Sequence, residues 1–293
     1  MRRRTIFRNK LLPYLLLIPQ LAVTIIFFFY PAAQALYQSM LFEDPFGLRT
    51  QFVWFENFQT VLSSPLYLEA ARVTVVFSVA VTLGAMAPAL LLAVMADQVL
   101  RGAAGYRTLI VWPYAIAPAV AAVLMLFIFH PTIGQVGQGL RALGVPWDYR
   151  IHGGQALFLV IFVSAWKQVS YNFLFFLAGL QSIPKTIVEA AAIDGASPAR
   201  RFWTVVFPLL SPTTYFLTLV AVIGTFKAFN HIWVLRSGAA LGTTDTASII
   251  IFNEFNRNTR YGYASALALV LMGFILVLTL INNRIAEEKV FYG

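Results

Sequence analysis

Six long apolar stretches, separated by polar segments, make up most of the chain. A helix needs about 20 apolar residues to cross the hydrocarbon core of a bilayer, and each stretch has roughly that length. Inside a bilayer only helices and closed barrels satisfy their own backbone hydrogen bonds, and these continuous runs are too long for barrel strands. The pattern therefore predicts six transmembrane helices, near residues 12–31, 73–96, 108–130, 155–180, 213–235 and 264–281.

The composition supports the same fold class. Of the 293 residues, 59% are hydrophobic and only 11% are charged, whereas charged residues make up about 25% of a soluble domain. No low-complexity linker or second soluble domain interrupts the apolar stretches. We therefore expect an all-α polytopic membrane protein in which a single transmembrane domain fills residues 1–293.

The distribution of Lys and Arg indicates which side of the membrane each polar segment faces. Twelve of the 21 basic residues lie in four segments, 1–10, 98–107, 183–212 and 284–293. Seven lie in the three alternate segments, 41–72, 131–154 and 236–264, which also hold seven acidic residues. Because basic residues collect on cytoplasmic loops, we expect the first group, and with it both termini, in the cytoplasm. The net charge of +9 follows from this asymmetry, and no basic soluble domain points to nucleic-acid binding.

Two of the segments expected outside have features of a docking surface. In 41–72 a turn signal is followed by the aromatic residues Phe52, Trp54, Phe55 and Phe58. Such residues either form a belt at the membrane interface or contact a protein outside. With its near-balanced charge, 236–264 is expected to contact the same protein.

Prolines predict bends in two of the spans. Pro113 and Pro118 lie five residues apart in the third stretch, and Pro88 lies in the second. Each removes a backbone donor and favours a kink. Bent helices suit a bundle that opens a cavity, although ordinary membrane packing explains each proline equally well.

The fourth stretch carries polar side chains where a membrane makes them costly. Lys167 lies about twelve residues from either end, hence near the bilayer centre, where a lysine costs roughly 3 kcal/mol. Lys167 and Tyr171 are four residues apart, as are Gln168 and Asn172. This spacing puts all four side chains on one helix face.

The fifth stretch carries a second polar group. Lys227, Asn230 and His231 have the spacing i, i+3, i+4, which again predicts one helix face. No acidic residue within a span can neutralise the two lysines. Either the two groups meet a cavity, a solute or a partner subunit, or they hydrogen-bond neighbouring helices. Lysines and amides donate to hydroxyl and anionic groups, so the solute interpretation favours a phosphorylated solute over a neutral sugar.

The polar segment 183–212 has the pattern of a helix, a turn and a second helix. Pro184 suits a first helical turn, and the alanines at 190–192 favour a helix. Gly195 is placed to end it, and Ser197 followed by Pro198 is typical of a second helix start.

This segment has two interpretations from the residues alone. Its smooth alanine face can fit a groove of another protein, with Glu189 and Asp194 as anionic anchors. Alternatively, it is an interfacial helix that links two spans.

The same residues resemble a known family. The run EAAAIDGA at 189–196, followed by Phe-Pro-Leu at 207–209 and by Pro212, is similar to the EAA loop of the permeases of binding-protein-dependent ABC importers. The resemblance covers nearly the full chain and implies the fold of a type I ABC importer permease. It makes 183–212 a coupling loop that docks on an ATPase subunit. Its docking residues are implied to be Glu189, Ala190, Asp194 and Gly195.

Within this family, the chain is similar to the carbohydrate-uptake branch. Segments 112–120 and 166–176 resemble permeases for sn-glycerol 3-phosphate, whereas 232–235 and 261–266 look more like general sugar permeases. The resemblance implies ATP-driven import of such a solute across the bacterial inner membrane by alternating access. It also implies a second homologous permease, two cytoplasmic ATPase subunits that bind ATP and magnesium, and an extracytoplasmic solute-binding protein.

Other kinds of chemistry find little support in the sequence. No glycine is followed by lysine, so a phosphate-binding loop is absent and we expect no cofactor in this chain. The histidines His130, His152 and His231 lack a metal-ligand spacing, and no carboxylate pair within a span offers acid–base catalysis. The rival class, a self-sufficient secondary transporter or channel, would need ion-coupling carboxylates or an internal repeat. Neither is visible.

Overall fold

The computed structural model describes residues 11–43, 49–98, 102–236 and 242–289. Its chain divides into two units. One consists of Met1–Ser64 with Ile251–Val270, and the other of Pro65–Ile250 with Leu271–Gly293. The expectation that a single transmembrane domain fills the chain stays a prediction.

The first unit begins with a long helix and a short hairpin. Helix α1 spans Leu12–Gln38 and contains a π-helical segment, Ile25–Phe29. This segment ends just before Pro31, which has no N–H to continue the regular pattern, and Tyr30 N donates five residues back to Ile25 O. Strands β1, Leu41–Glu43, and β2, Thr50–Phe52, pair antiparallel with Leu41 opposite Phe52. Sequence analysis did not foresee this hairpin.

Helix α2, Glu56–Ser63, is attached to the hairpin through a buried amide. Asn57 Nδ2 donates to the carbonyls of Ser39 at 2.9 Å and Leu41 at 2.8 Å. From the other part of the unit, Gly262 approaches the Leu41 carbonyl so closely that no Cβ would fit there. These contacts hold the turn after α1 in one conformation.

Among its described residues, the second unit consists of helices and the loops that connect them. Its helices are α3 Pro65–Gln98, α4 Ala103–Ala115, α5 Pro118–Ile128, α6 Gln135–Ala142, α7 Gly153–Ser182, α8 Lys185–Ile193, α9 Pro198–Leu209, α10 Ser211–Phe226 and α11 Asn230–Arg236. Helices α12, Ala247–Asn256, and α13, Tyr261–Lys289, supply residues to both units.

Within the described residues, four helices are long and apolar enough to cross a membrane alone: α1, α3, α7 and α13. Two pairs qualify only together. The helix axis bends by 101° between α4 and α5, and by 64° between α9 and α10. The all-α polytopic class is confirmed, and the bend expected at Pro113 and Pro118 lies between α4 and α5. The predicted number of six spans holds if each bent pair crosses as one.

The predicted fifth helix, 213–235, is wrong in its bounds. Helix α10 ends at Phe226, α11 begins at Asn230, and the bent pair starts at Pro198, within the segment read as a loop. The interruption is stabilised from elsewhere in the chain. Ser248 Oγ donates to Phe226 O at 3.3 Å and to Ala228 O at 3.0 Å. A tertiary hydrogen-bond donor thus replaces the helical one, which no local pattern could show.

Helices α3 and α7 form the centre of the second unit. Small residues on α3 allow close approach, and Ala85, Ala89 and Ala93 are fully buried. Two hydrophobic cores lie along this pair. The first is built around Phe77, Phe129, Leu159, Val163 and Ile232. The second is built around Ala93, Phe173, Phe176, Leu177 and Leu217.

Candidate coupling loop and solute pathway

The helix, turn and helix predicted for 183–212 are confirmed. Helix α8 ends at Ile193, and Gly195 then has a φ of +79°, in the left-handed region that favours glycine. Ala196 N donates to Ala191 O and Gly195 N to Ala192 O, both at 3.1 Å, which is the Schellman pattern that ends a helix. Ser197 Oγ accepts from Arg200 N at 3.4 Å and caps α9.

Helix α8 presents an open surface. None of its residues is buried, and all four predicted coupling residues, Glu189, Ala190, Asp194 and Gly195, are exposed. Beside them, Ile193 is 87% exposed. An apolar side chain on an exposed helix end beside two carboxylates suits contact with another protein, and the coupling role stays a prediction.

A cavity of about 750 Å³ lies between α8 and the ends of α3 and α7. Its charged lining consists of Asp97, Lys185, Glu189 and Arg201. Residues of α9, among them Pro198 and Phe202, complete the lining, and α8 contacts α9 but borders neither hydrophobic core.

The polar residues of the fourth stretch lie in a layer between the two cores. Lys167 Nζ donates to Pro113 O at 3.2 Å and also to Ile116 O. Gln168 Nε2 donates to Asn172 Oδ1 at 3.2 Å. Several polar groups of this layer therefore have hydrogen-bond partners within the chain, as the interpretation without a solute expected. A solute that binds here would have to compete with those bonds.

Two members of this group differ in their surroundings. The ring of Tyr171 packs against Tyr114 and Phe175, with centroids 6.0 and 4.8 Å away. Asn172 is fully buried, and its Nδ2 has no hydrogen-bond partner among the described residues. Asn172 therefore has a donor available for a further hydrogen bond within the layer. Leaving this buried amide unpaired costs free energy.

The second polar group is divided by the break in the fifth stretch. Lys227 directly follows the end of α10 and Asn230 begins α11, so the predicted common helix face of Lys227, Asn230 and His231 is wrong. Lys227 and Asn230 are exposed. His231 Nε2 lies 2.8 Å from Ser164 Oγ on α7.

The structure nevertheless connects the two groups. Ser164 precedes Lys167 by three residues, which is about one helical turn and places both on one face of α7. Through the Ser164–His231 contact, the start of α11 therefore lies within about one turn of the polar face of α7. Sequence analysis missed Ser164, although its spacing from Lys167 was a usable signal.

The segment 131–154 is held by side chains that sequence analysis did not select. Trp147 Nε1 donates to Phe129 O at 2.8 Å, and Tyr149 Oη donates to Leu126 O at 3.2 Å. Between them, Asp148 pairs with Arg150 at 2.8 Å. Hydrogen bonds from the Arg150 side chain lower the pKa of Asp148 to about 2. Within the described ranges no group of His, Asp and Glu side chains could hold a metal ion.

The aromatic residues predicted to face a partner lie in the first unit. Trp54 is 64% exposed, and Phe52 and Phe55 are also exposed. The ring of Phe52 packs edge-on against Trp54, with centroids 4.9 Å apart. Of the neighbouring turn signal, residues 44–47 lie outside the described residues.

Comparison with known proteins identifies the family. Residues 70–289 match the family described as "Binding-protein-dependent transport system inner membrane component". The chain belongs to this family. It is therefore a multi-pass inner-membrane permease subunit of an ABC importer, whose role is transport rather than catalysis, and the family resemblance of its EAA loop is confirmed.

Relatives within this family match along the whole chain. The chain is 50% identical over 292 residues to the sn-glycerol-3-phosphate transport system permease protein UgpA of Rhizobium meliloti (strain 1021), covering 99% of this chain and 100% of the relative. It is 43% identical over 290 residues to the protein of the same name from Escherichia coli (strain UTI89 / UPEC), covering 99% and 98%. The resemblance to glycerol-phosphate permeases is thereby confirmed.

A solved structure shows the same fold. A bacterial ABC transporter involved in the import of the acidic polysaccharide alginate superposes with a TM-score of 0.83 at 22% identity, covering 94% of this chain and 95% of that chain. The same transporter in complex with an alginate pentasaccharide-bound periplasmic protein gives a TM-score of 0.84 at 22% identity, covering 94% of each chain. The predicted fold class, an all-α permease of an ABC importer, is confirmed.

Proposed function

We propose that this family member is the permease subunit through which an ATP-driven importer carries sn-glycerol 3-phosphate. The observation that carries the proposal is the name shared by relatives that are 43–50% identical over their full lengths. A neutral sugar is the alternative solute, favoured by the resemblance of segments 232–235 and 261–266 to general sugar permeases.

The polar groups of the second unit support an anionic solute. Lys227 is exposed, and among the described residues no carboxylate pairs with its ammonium group. Lys167, in contrast, already has two backbone carbonyl partners. Lys227 is therefore the better candidate for the phosphate group, with Asn230 beside it to bond a hydroxyl.

The face of α7 continues the proposed solute pathway. Gln168, Tyr171 and Asn172 follow Ser164 along it, and His231 links this face to the start of α11. Lys227 and Asn230 then bind one part of a small polar solute, and the polar face of α7 binds another. In this arrangement Lys227 sets the preference for phosphate, whereas the amides tolerate either solute class.

The proposed assembly contains partners on both sides of the membrane. These are a second homologous permease, two cytoplasmic ATPase subunits that bind ATP and magnesium, and an extracytoplasmic solute-binding protein. The family description, which names a binding protein, supports the last of these. The high density of basic residues supports a cytoplasmic position for α8 and both termini.

The mechanism follows from the exposed coupling loop. Closure of the ATPase pair on ATP moves α8, because Glu189, Ala190, Asp194 and Gly195 form the docking surface. This movement favours an outward-open arrangement of the permeases, into which the binding protein releases its solute. Solute can shift such an equilibrium only through different affinities for the two arrangements.

Uptake into proteoliposomes that contain the assembled transporter and its binding protein tests the solute. Lys227→Ala should lower uptake of sn-glycerol 3-phosphate about tenfold or more, as expected for the loss of one charge-assisted hydrogen bond. Arg284→Ala removes an exposed cation away from the pathway and should leave uptake unchanged. Efficient uptake of a neutral sugar that is insensitive to Lys227→Ala rejects the phosphate assignment and leaves the importer assignment standing.

Photo-crosslinkers test the proposed partners and the orientation. A crosslinker at Trp54 or Asn256 should capture the solute-binding protein, whereas one at Ile193 should capture an ATPase subunit. Glu189→Lys should abolish solute-stimulated ATP hydrolysis while membrane insertion stays normal. Capture of the ATPase subunit from Trp54 would invert the orientation.

A further inference from the structure

The break between α4 and α5 exposes backbone groups that need partners. Helix α4 ends at Ala115 and α5 begins at Pro118, and Ile116 and Ala117 between them have extended ψ values of 129° and 138°. Pro118 has no N–H to donate back into α4. The carbonyl oxygens of Pro113 and Ile116 therefore lose the donors that a continuous helix would supply, although Pro113 O still accepts from Ile116 N at 3.3 Å. Inside a bilayer, irregular backbone persists only where protein or a water-filled cavity satisfies it.

The ammonium group of Lys167 supplies these donors. It bonds the carbonyls of Pro113 and Ile116, one before the break and one within it. The carboxyl end of a helix carries partial negative charge and stabilises a nearby cation. In some transporters, such unwound carbonyls coordinate a bound cation. Here a side chain of the same chain provides the positive charge.

The neighbouring contacts fix α4 on α7 at the same level. Ser170 Oγ donates to Ile110 O at 2.7 Å. The rings of Trp112 and Trp166 meet edge-on, with centroids 6.4 Å apart. These two contacts hold α4 against α7 on either side of Lys167.

Helix α5 has a different neighbour. It packs mainly against α11, and its residues Ala122 and Met125 belong to the first core. The residues of α4 that pack inward, Ile110 and Val111, border the second core. The break, and Lys167 with it, thus lies where one core gives way to the other.

We propose that Lys167 is a positioning residue that fixes the angle between α4 and α5 and thereby aligns the two cores during transport. It acts through the backbone at Pro113 and Ile116 and not through contact with the solute. This role of Lys167 is the same whichever solute the importer carries.

A distance measurement without solute tests this role. The chain contains no cysteine, so spin labels can be attached to Leu109→Cys on α4 and Phe127→Cys on α5, at positions that are 73% and 62% exposed. In the assembled transporter, with cysteine-free partner subunits, Lys167→Met should broaden or shift the distance distribution between the labels. Lys167→Arg, which keeps a cation with several donors, should preserve it. Lys227→Met removes the other lysine of the polar groups and should leave this distance unchanged.

Uptake provides the second readout. Lys167→Met should lower the maximal rate about tenfold or more, the fold-change that corresponds to loss of one charge-assisted hydrogen bond, and Lys167→Arg should recover most of it. If Lys167→Met does not assemble, Lys167→Gln, a shorter neutral donor, takes its place in both measurements. An unchanged distance distribution together with lost uptake would make Lys167 a solute ligand and overturn the inference.

Discussion

Replacement of Gly195 by alanine isolates one physical property of the coupling loop. The added Cβ meets no atom within 4 Å, so the variant creates no clash. The φ of +79° at this position, however, is unfavourable for any residue with a Cβ. The left-handed conformation costs about 1–2 kcal/mol for such a residue. That cost shifts the balance between the native turn and other arrangements about 5- to 30-fold.

Little in the surroundings opposes this shift. Helix α8 has no buried residue, so packing adds little to the two hydrogen bonds of the turn. We expect Gly195→Ala to lower solute-stimulated ATP hydrolysis and uptake severalfold, because the docking surface around Glu189 is correctly placed less of the time. Gly195→Pro should abolish both, since proline cannot adopt this φ and lacks the N–H that bonds Ala192 O.

The assay is solute-stimulated ATP hydrolysis of the assembled transporter, with membrane insertion measured in parallel. Gly144→Ala is the matched control, because Gly144 also has a positive φ, of +83°, and open space around its Cβ position, but lies outside the coupling loop. Gly195→Asn should retain more activity than Gly195→Ala, since asparagine tolerates the left-handed region. Equal activity of Gly195→Ala and the unmodified chain, or an equal loss in Gly144→Ala, would refute the reasoning.

Two further predictions concern segments outside the coupling loop. Asn57→Ala should destabilise the first unit by roughly 2–4 kcal/mol because it leaves two buried carbonyls without their donor. Faster proteolysis of the hairpin than in the exposed control variant Thr60→Val would show this. Equal proteolysis rates in the two variants would contradict it. The Arg150 side chain lowers the pKa of Asp148 from 3.8 to about 2, so the ion pair stabilises the fold above pH 3.8 and is lost as pH falls towards 2. Asp148→Asn and Arg150→Gln should each remove this part of the pH dependence of thermal unfolding, and a dependence that survives both changes would exclude the pair as its source.

Sequence alone predicted the features that depend on local physical chemistry. Long apolar runs require membrane helices because the bilayer leaves their backbone no other partner. Gly195, Ser197 and Pro198 act within a few residues of themselves, so the turn between α8 and α9 could be predicted correctly. The EAA pattern lies in the same local stretch and led to the right family.

Tertiary structure decided which polar groups have partners. Helix α10 stops at Phe226 because Ser248, 22 residues later, bonds the freed carbonyls, and this divided a helix face that the spacing of Lys227 and His231 had predicted. The partners of Lys167 lie 51 and 54 residues away, one in the last turn of α4 and one in the break that follows it. Periodicity places a side chain on a face of its own helix, but the energy of a partly buried ammonium group depends on the atoms opposite it. Those atoms become known only when the helices are packed together.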